Sequence, residues 1–226
     1  MELYHLLNRG VDKRDIFLDE KDYVRFIHDL YEFNCSEGVD NTRHRLNTDL
    51  RSPYLISTRE QNKIVDIHGW VLMRNHYHLL LSERVEGGLT LFLRKLNIGY
   101  AKYFNERYER SGTLFQGRTK KILIQRQSHF LYILHYIHLN PLDYLEGYKE
   151  WRVRSKGTIR ARKTALEYLD SYRWSSYLDY CGTKNFPSIL TTHVFKNEDV
   201  FSDYQKAIYT YLKDAEDDSL SSETLG

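Results

Sequence analysis

The chain has 226 residues, a formal net charge of +2, and only two cysteines. Two cysteines exclude both a disulfide framework and a thiolate metal cluster, so Cys35 and Cys181 read as thiols of a reducing, cytoplasmic setting. No apolar run approaches the ~20 residues that span a bilayer, and Met1-Glu2-Leu3-Tyr4-His5 lacks the basic-then-apolar pattern of a signal peptide.

The charge is unevenly spread. Arg94 to Arg126 holds nine basic residues against Glu106 and Glu109, and Lys149 to Lys163 holds seven against Glu150. Acidic residues return at Asp214, Glu216, Asp217, Asp218 and Glu223. Each basic run alone reads as a solvated face. Interleaved with 19 tyrosines, the two suit a phosphate backbone and stacked, unpaired bases.

In chain order, Leu3 to Leu7 reads as a strand broken by Asn8-Arg9-Gly10. Asp19 is placed to cap a helix to about Phe33, with Tyr23, Phe26, Ile27 and Leu30 on one stripe. Residues 36–61 are polar and read as an insertion loop. Lys63 to Met73 and His76 to Ser82 read as a hairpin turning at Arg74-Asn75. A helix follows from about Leu89 to Arg107, with its apolar stripe at Leu89, Phe92, Leu93, Leu96, Tyr100, Tyr103 and Phe104. Lys120 to Gln125 reads as a strand. Ser128 is placed to cap a helix from His129 to Leu139, which Pro141 ends. This order predicts an α+β, ferredoxin-like (split βαβ) antiparallel sheet with helices on one face. It places a first domain at 1–141. Residues 142–226 form a basic linker and a C-terminal helical extension, with helices near Lys163 to Leu169 and Ser202 to Lys213.

In an extended strand His76 and His78 point to the same face, which aims two imidazoles at one place. Most His-x-His pairs are structural or exposed. Here the apolar neighbours Leu79-Leu80-Leu81 define the face, and Asn140 offers an oxygen ligand from the following helix. Imidazole plus an amide oxygen suits Mg2+ or Mn2+ at a phosphate, and zinc also accepts imidazole. Tyr136 and Asn140 stand at i and i+4 on one helix face, so Tyr136 is the candidate nucleophile. Tyr132, one turn earlier, is its rival, and the ordinary fate of either is core packing. His135 and His138 flank that face and read as surface or DNA-contacting residues. Arg9, Arg94, Lys102, Arg118, Lys120, Lys121, Arg152 and Arg154 are candidate DNA contacts, which position a strand without reading it. Trp174 and Tyr177 read as core.

The run Trp70-Val71-Leu72-Met73-Arg74-Asn75-His76-Tyr77-His78-Leu79-Leu80 resembles the M-P-N-H-x-H-L-L signature of single-tyrosine HUH transposases. Leu114-Phe115-Gln116-Gly117-Arg118 resembles their L-W-Q-G-R segment, and Tyr136-Ile137-His138-Leu139-Asn140-Pro141 their Y-I-H-x-N-P helix. Tyr172-Arg173-Trp174-Ser175-Ser176-Tyr177 resembles Y-x-W-S-S-Y. Together these motifs are similar to those of REP-associated tyrosine transposases over roughly residues 1 to 180. The resemblance implies His76, His78 and Asn140 as metal ligands and Tyr136 as nucleophile. It also implies cutting and rejoining of single-stranded DNA, typically an imperfect hairpin with a flanking guide sequence; the sequence leaves monomer or homodimer open. Two other readings stand beside it: a non-catalytic DNA or RNA hairpin-binding protein of the same fold, and a replication or conjugation initiator. Arg74 departs from the usual proline, and Leu142-Asp143-Tyr144-Leu145 from the common V-R-A-G.

Overall fold

The structure is a computed structural model that describes residues 1–36, 62–125, 127–146, 148, 151, 162–192 and 203–213. Nearly all of the expected insertion, Arg152, Arg154 and the acidic tail lie outside the described residues. Four strands, β1 (Leu3–Arg9), β2 (Val65–Met73), β3 (His76–Glu83) and β4 (Lys120–Leu123), form one antiparallel sheet in the order β2-β3-β1-β4. With α1 (Glu20–Glu32) between β1 and β2, and α2 (Gly88–Arg107) between β3 and β4, this is the split βαβ arrangement.

Alternation along the strands explains both faces of the sheet. Leu6, Trp70, Leu72, Tyr77, Leu79 and Leu81 point to one side and pack on α1 and α2. Asp19 caps α1 by accepting from the Lys21 and Asp22 main-chain N–H groups. The expected stripes of both helices are the buried ones, with Leu93 and Tyr103 only partly covered.

Helices cover both faces, and here the structure departs from the sequence reading. Val71, Met73 and Leu80 point the other way and meet α3 (Gln127–Leu139) together with the C-terminal helices. These are α4 (Arg162–Ser171), α5 (Tyr177–Tyr180) and α6 (Tyr204–Lys213). A strand such as β2, buried at every position, needs a layer on each side. Gly69 lets α3 come close, since a Cβ there would lie 2.7 Å from Leu134 Cδ1. α3 starts one residue before Ser128, which is therefore inside the helix and not its cap.

The C-terminal stretch also hydrogen-bonds to the outer edge of β2. Leu72 N–H donates to the Trp174 carbonyl, Ser176 N–H to that of Trp70, and Thr191 N–H to that of Ile67. That edge is thereby covered, which removes a template for pairing with other chains. Tyr177 is fully buried, and Trp174 stacks on Tyr23 at 4.6 Å, so both serve the core as expected.

Candidate active site

The β2–β3 hairpin holds the two histidines, and the loop after β1 clasps its turn. Ile16 and Phe17 N–H groups donate to the Arg74 carbonyl, and Gly10 N–H donates to the Asn75 carbonyl. The Arg74 N–H donates to Tyr144 Oη at 2.6 Å, a bond that proline in that position could not make. Tyr144 ends the 3-10 turn Asn140–Tyr144 that follows α3. The hairpin turn and the end of α3 are thus joined through the residue at which this chain departs from the usual motif.

His76 and His78 share a sheet face, with ring centroids 5.0 Å apart and edge to face. His76 Nδ1 lies 2.6 Å from Asn75 Oδ1. That oxygen can only accept, so Nδ1 carries the proton and Nε2 is the nitrogen His76 can offer a cation. His78 is buried and its Nδ1 lies 2.9 Å from Nε2 of His5. The His5 ring stacks on it at 5.1 Å and 15°.

Tyr136 on α3 closes the group. Its ring meets His78 at 5.7 Å and His5 at 5.8 Å, both edge to face. Trp151 covers it at 5.6 Å, and it is only 8% exposed. Tyr132 lies one turn earlier, 5.7 Å from Tyr136 and 6.0 Å from Tyr211. Asn140 is fully buried, and its amide nitrogen donates to the Tyr136 carbonyl at 2.7 Å. It therefore ties into the site through the helix that carries Tyr136. Its Oδ1 is the atom it would bring to a cation.

His5 was missed by sequence reasoning. A lone histidine in an apolar strand reads as core, and His5 is fully buried. Burial without a charged partner pulls its pKa down to about 4, so it is neutral at neutral pH. The split βαβ order was the available clue, because it pairs β1 with β3 and brings His5 onto the face of His78.

His135 and His138 are not surface residues. His138 is fully buried, with Nδ1 2.7 Å from Tyr204 Oη and Nε2 2.7 Å from Ser176 Oγ. His135 is buried between the rings of Tyr204 and Tyr211. The side of α3 that faced solvent in the sequence reading faces α6.

No family model matches the chain, and no curated protein matches it. Among solved structures it is similar to one described as the structure of the REP-associated tyrosine transposase bound to a REP hairpin. The identity is 13% and the TM-score 0.47, over 85% of this chain and 87% of that one.

The basic candidates divide by layer. Arg9 stands directly across from His76, and Lys120 across from Leu7, whose other neighbour is His78. Both are exposed and lie on the histidine face, where Arg9 Nε donates to Gln116 Oε1 at 2.6 Å. Arg118 is exposed on the loop leading into β4. Lys121 points to the opposite face, its ammonium 4.0 Å from the centre of the Tyr4 ring. Arg94 and Lys102 are exposed on α2, also on that opposite side. No described group of three or more His, Cys, Asp or Glu could hold a metal ion. No described helix is long and apolar enough to cross a membrane.

Proposed function

We propose that the protein cuts and rejoins single-stranded DNA through a covalent tyrosine intermediate, with a hairpin as its substrate. The meeting of the Tyr136 ring with both His78 and its partner His5 carries this reading. The motif resemblance supports it, with His76 and His78 on β3 and Tyr136 on α3.

Tyr136 Oη attacks the scissile phosphorus, a bond forms from that oxygen to phosphorus, and the bond from phosphorus to the 3′ oxygen breaks. The phenol loses its proton and the 3′ oxygen gains one, leaving a 5′-phosphotyrosine and a free 3′-OH. Reversal by another 3′-OH rejoins a strand without an external energy source. His76 and His78, through Nε2, suit a small divalent cation such as Mg2+ or Mn2+. Asn140 Oδ1 would be the further protein donor, leaving the remaining positions to phosphate oxygens. When bound, such a cation offsets negative charge developing on the phosphate. Arg9 and Lys120, beside the histidines, hold the phosphates on either side of the cut.

The test is incubation of a labelled hairpin oligonucleotide with Mg2+ or Mn2+. Wild type forms a covalent adduct resistant to denaturing gels, and Tyr136→Phe forms none. An adduct retained in Tyr136→Phe overturns the role of Tyr136, and Tyr132→Phe would then have to lose it. One observation favours a purely DNA-binding protein: the 8% exposure of Tyr136 beneath Trp151. That reading requires tight hairpin binding and no adduct from wild type.

A further inference from the structure

His5 belongs to none of the motifs, yet it lies between the proposed cation ligand and the proposed nucleophile. Its Nε2 is 2.9 Å from His78 Nδ1, its ring stacks on His78, and its edge meets Tyr136. We propose that His5 is a positioning residue for cation binding: its Nε2 accepts the Nδ1 proton of His78 and so holds the His78 ring with Nε2 as the ligating atom. This rests on the function proposed above.

The neighbouring ligand shows the same arrangement. His76 has an outer partner in Asn75 Oδ1, which fixes its proton on Nδ1. A ligating histidine generally gives its second N–H to such a partner, which orients the ring and raises its basicity. At His78 Nδ1 the corresponding partner is His5 Nε2, 2.9 Å away. A cation on Nε2 polarises the Nδ1–H of His78, and a donor of that kind forms a stronger bond than a neutral one. His5 can accept it only when neutral and protonated on Nδ1. The His5 Nδ1 itself is buried with no hydrogen-bond partner.

The proton count closes with both rings neutral throughout. Without the cation, the orphaned His5 Nδ1 is less costly as a lone pair than as an N–H. His5 then donates from Nε2 and His78 keeps its proton on Nε2. When the cation binds, the His78 Nε2 proton leaves to solvent and the His5 Nε2 proton moves to His78 Nδ1. His5 takes a proton on Nδ1 from solvent. One hydrogen bond is kept and its direction reverses.

Two measurements test this. Histidine side-chain 15N–1H correlation spectra of the wild-type protein, with and without Mg2+, report the protonated nitrogen of each ring. The expected result is that Mg2+ moves the proton of both His5 and His78 from Nε2 to Nδ1. A His5 that keeps Nε2–H in the Mg2+-loaded protein overturns the proposal, and this readout needs no variant to fold. Mn2+ affinity, read by electron paramagnetic resonance, is the second measurement. His5→Phe keeps the stacked ring without its nitrogens and is expected to lose about 10- to 100-fold in affinity. His5→Gln, whose amide oxygen takes the place of Nε2, is expected to recover part of that loss. If wild type binds Mn2+ and His76→Ala does not, while His5→Phe stays within two-fold of wild type, the role of His5 alone falls. If wild type takes up no Mn2+, the cation site of the proposed function falls, and this role with it.

Discussion

The Ser176 hydroxyl accepts from the Trp70 main-chain N–H at 2.9 Å and donates to the Trp70 carbonyl at 3.2 Å. The same hydroxyl lies 2.7 Å from His138 Nε2, and His138 Nδ1 lies 2.7 Å from Tyr204 Oη. One side chain thus satisfies β2, α3 and, through His138, α6. Ser176→Ala removes the side-chain partner of the buried Trp70 N–H and of His138 Nε2 and should cost about 1–3 kcal/mol in urea unfolding. A loss under about 0.5 kcal/mol, the level of an ordinary surface substitution, would show that the network is not what fixes α3. Adjacent residues of β4 make a second contrast. Lys120 stands on the histidine face and Lys121 on the opposite one, beside Tyr4. Lys120→Ala should weaken hairpin binding and lower the salt slope by about 0.7–1, one phosphate contact. Lys121→Ala should leave both unchanged. Equal losses in filter-binding titrations would mean that the DNA does not follow the face carrying Tyr136.

At the scale of elements, the hairpin strands were legible as short apolar runs on either side of a turn, and the first two helices by the 3.6-residue period of their stripes. The pair His76 and His78, and the Arg74-Asn75 turn that precedes them, were legible because they too are local in the chain. The layer on the second face was not. α3 is apolar all round, so its periodicity did not separate the side of Tyr136 from the side of His138, and its partner α6 is far along the chain, Tyr204 lying 66 residues after His138. His5 escaped for a related reason, since its role depends on strand pairing across 73 residues. The clasp on the hairpin turn is also long-range, and it depends on space. Gly10 has an ordinary extended backbone, but a Cβ there would lie 2.3 Å from the Arg14 carbonyl oxygen and 2.9 Å from Ile16. Gly10→Ala should force the 10–17 loop off the Arg74-Asn75 turn, costing about 1–3 kcal/mol of stability. Mn2+ affinity should fall with it, because Asn75 orients His76. Unchanged thermal unfolding and unchanged Mn2+ binding in Gly10→Ala would show that the turn does not need its clasp.

For the molecule as a whole, covering both faces of the sheet has a consequence for acid stability. Among the described residues three histidines, His5, His68 and His138, are fully buried, and His5 and His138 come from opposite sides of the α3 layer. Burial lowers the pKa of His5 to about 4 and that of His138 well below its ordinary value, the latter helped by His135 nearby. In the unfolded chain each titrates near pH 6.5. Above that pH both states hold the rings neutral, so stability is at its full value. As pH falls below 6.5 the unfolded chain takes up two protons that the folded chain refuses, and stability drops. Each refused proton costs about 1.4 kcal/mol per pH unit, so the pair gives roughly 2–3 kcal/mol per unit near pH 5. The His5 share levels off near pH 4, where the folded protein also protonates it, while the His138 share continues below. Urea unfolding between pH 7.5 and 5 should show this slope, and His5→Phe should remove about half of it. The carboxylates contribute little above pH 5, so the window isolates the histidines. A midpoint that stays level from pH 7.5 to 5 would mean that at least one of these rings is solvated in the folded protein, and the layer over His5 and Tyr136 would then be open.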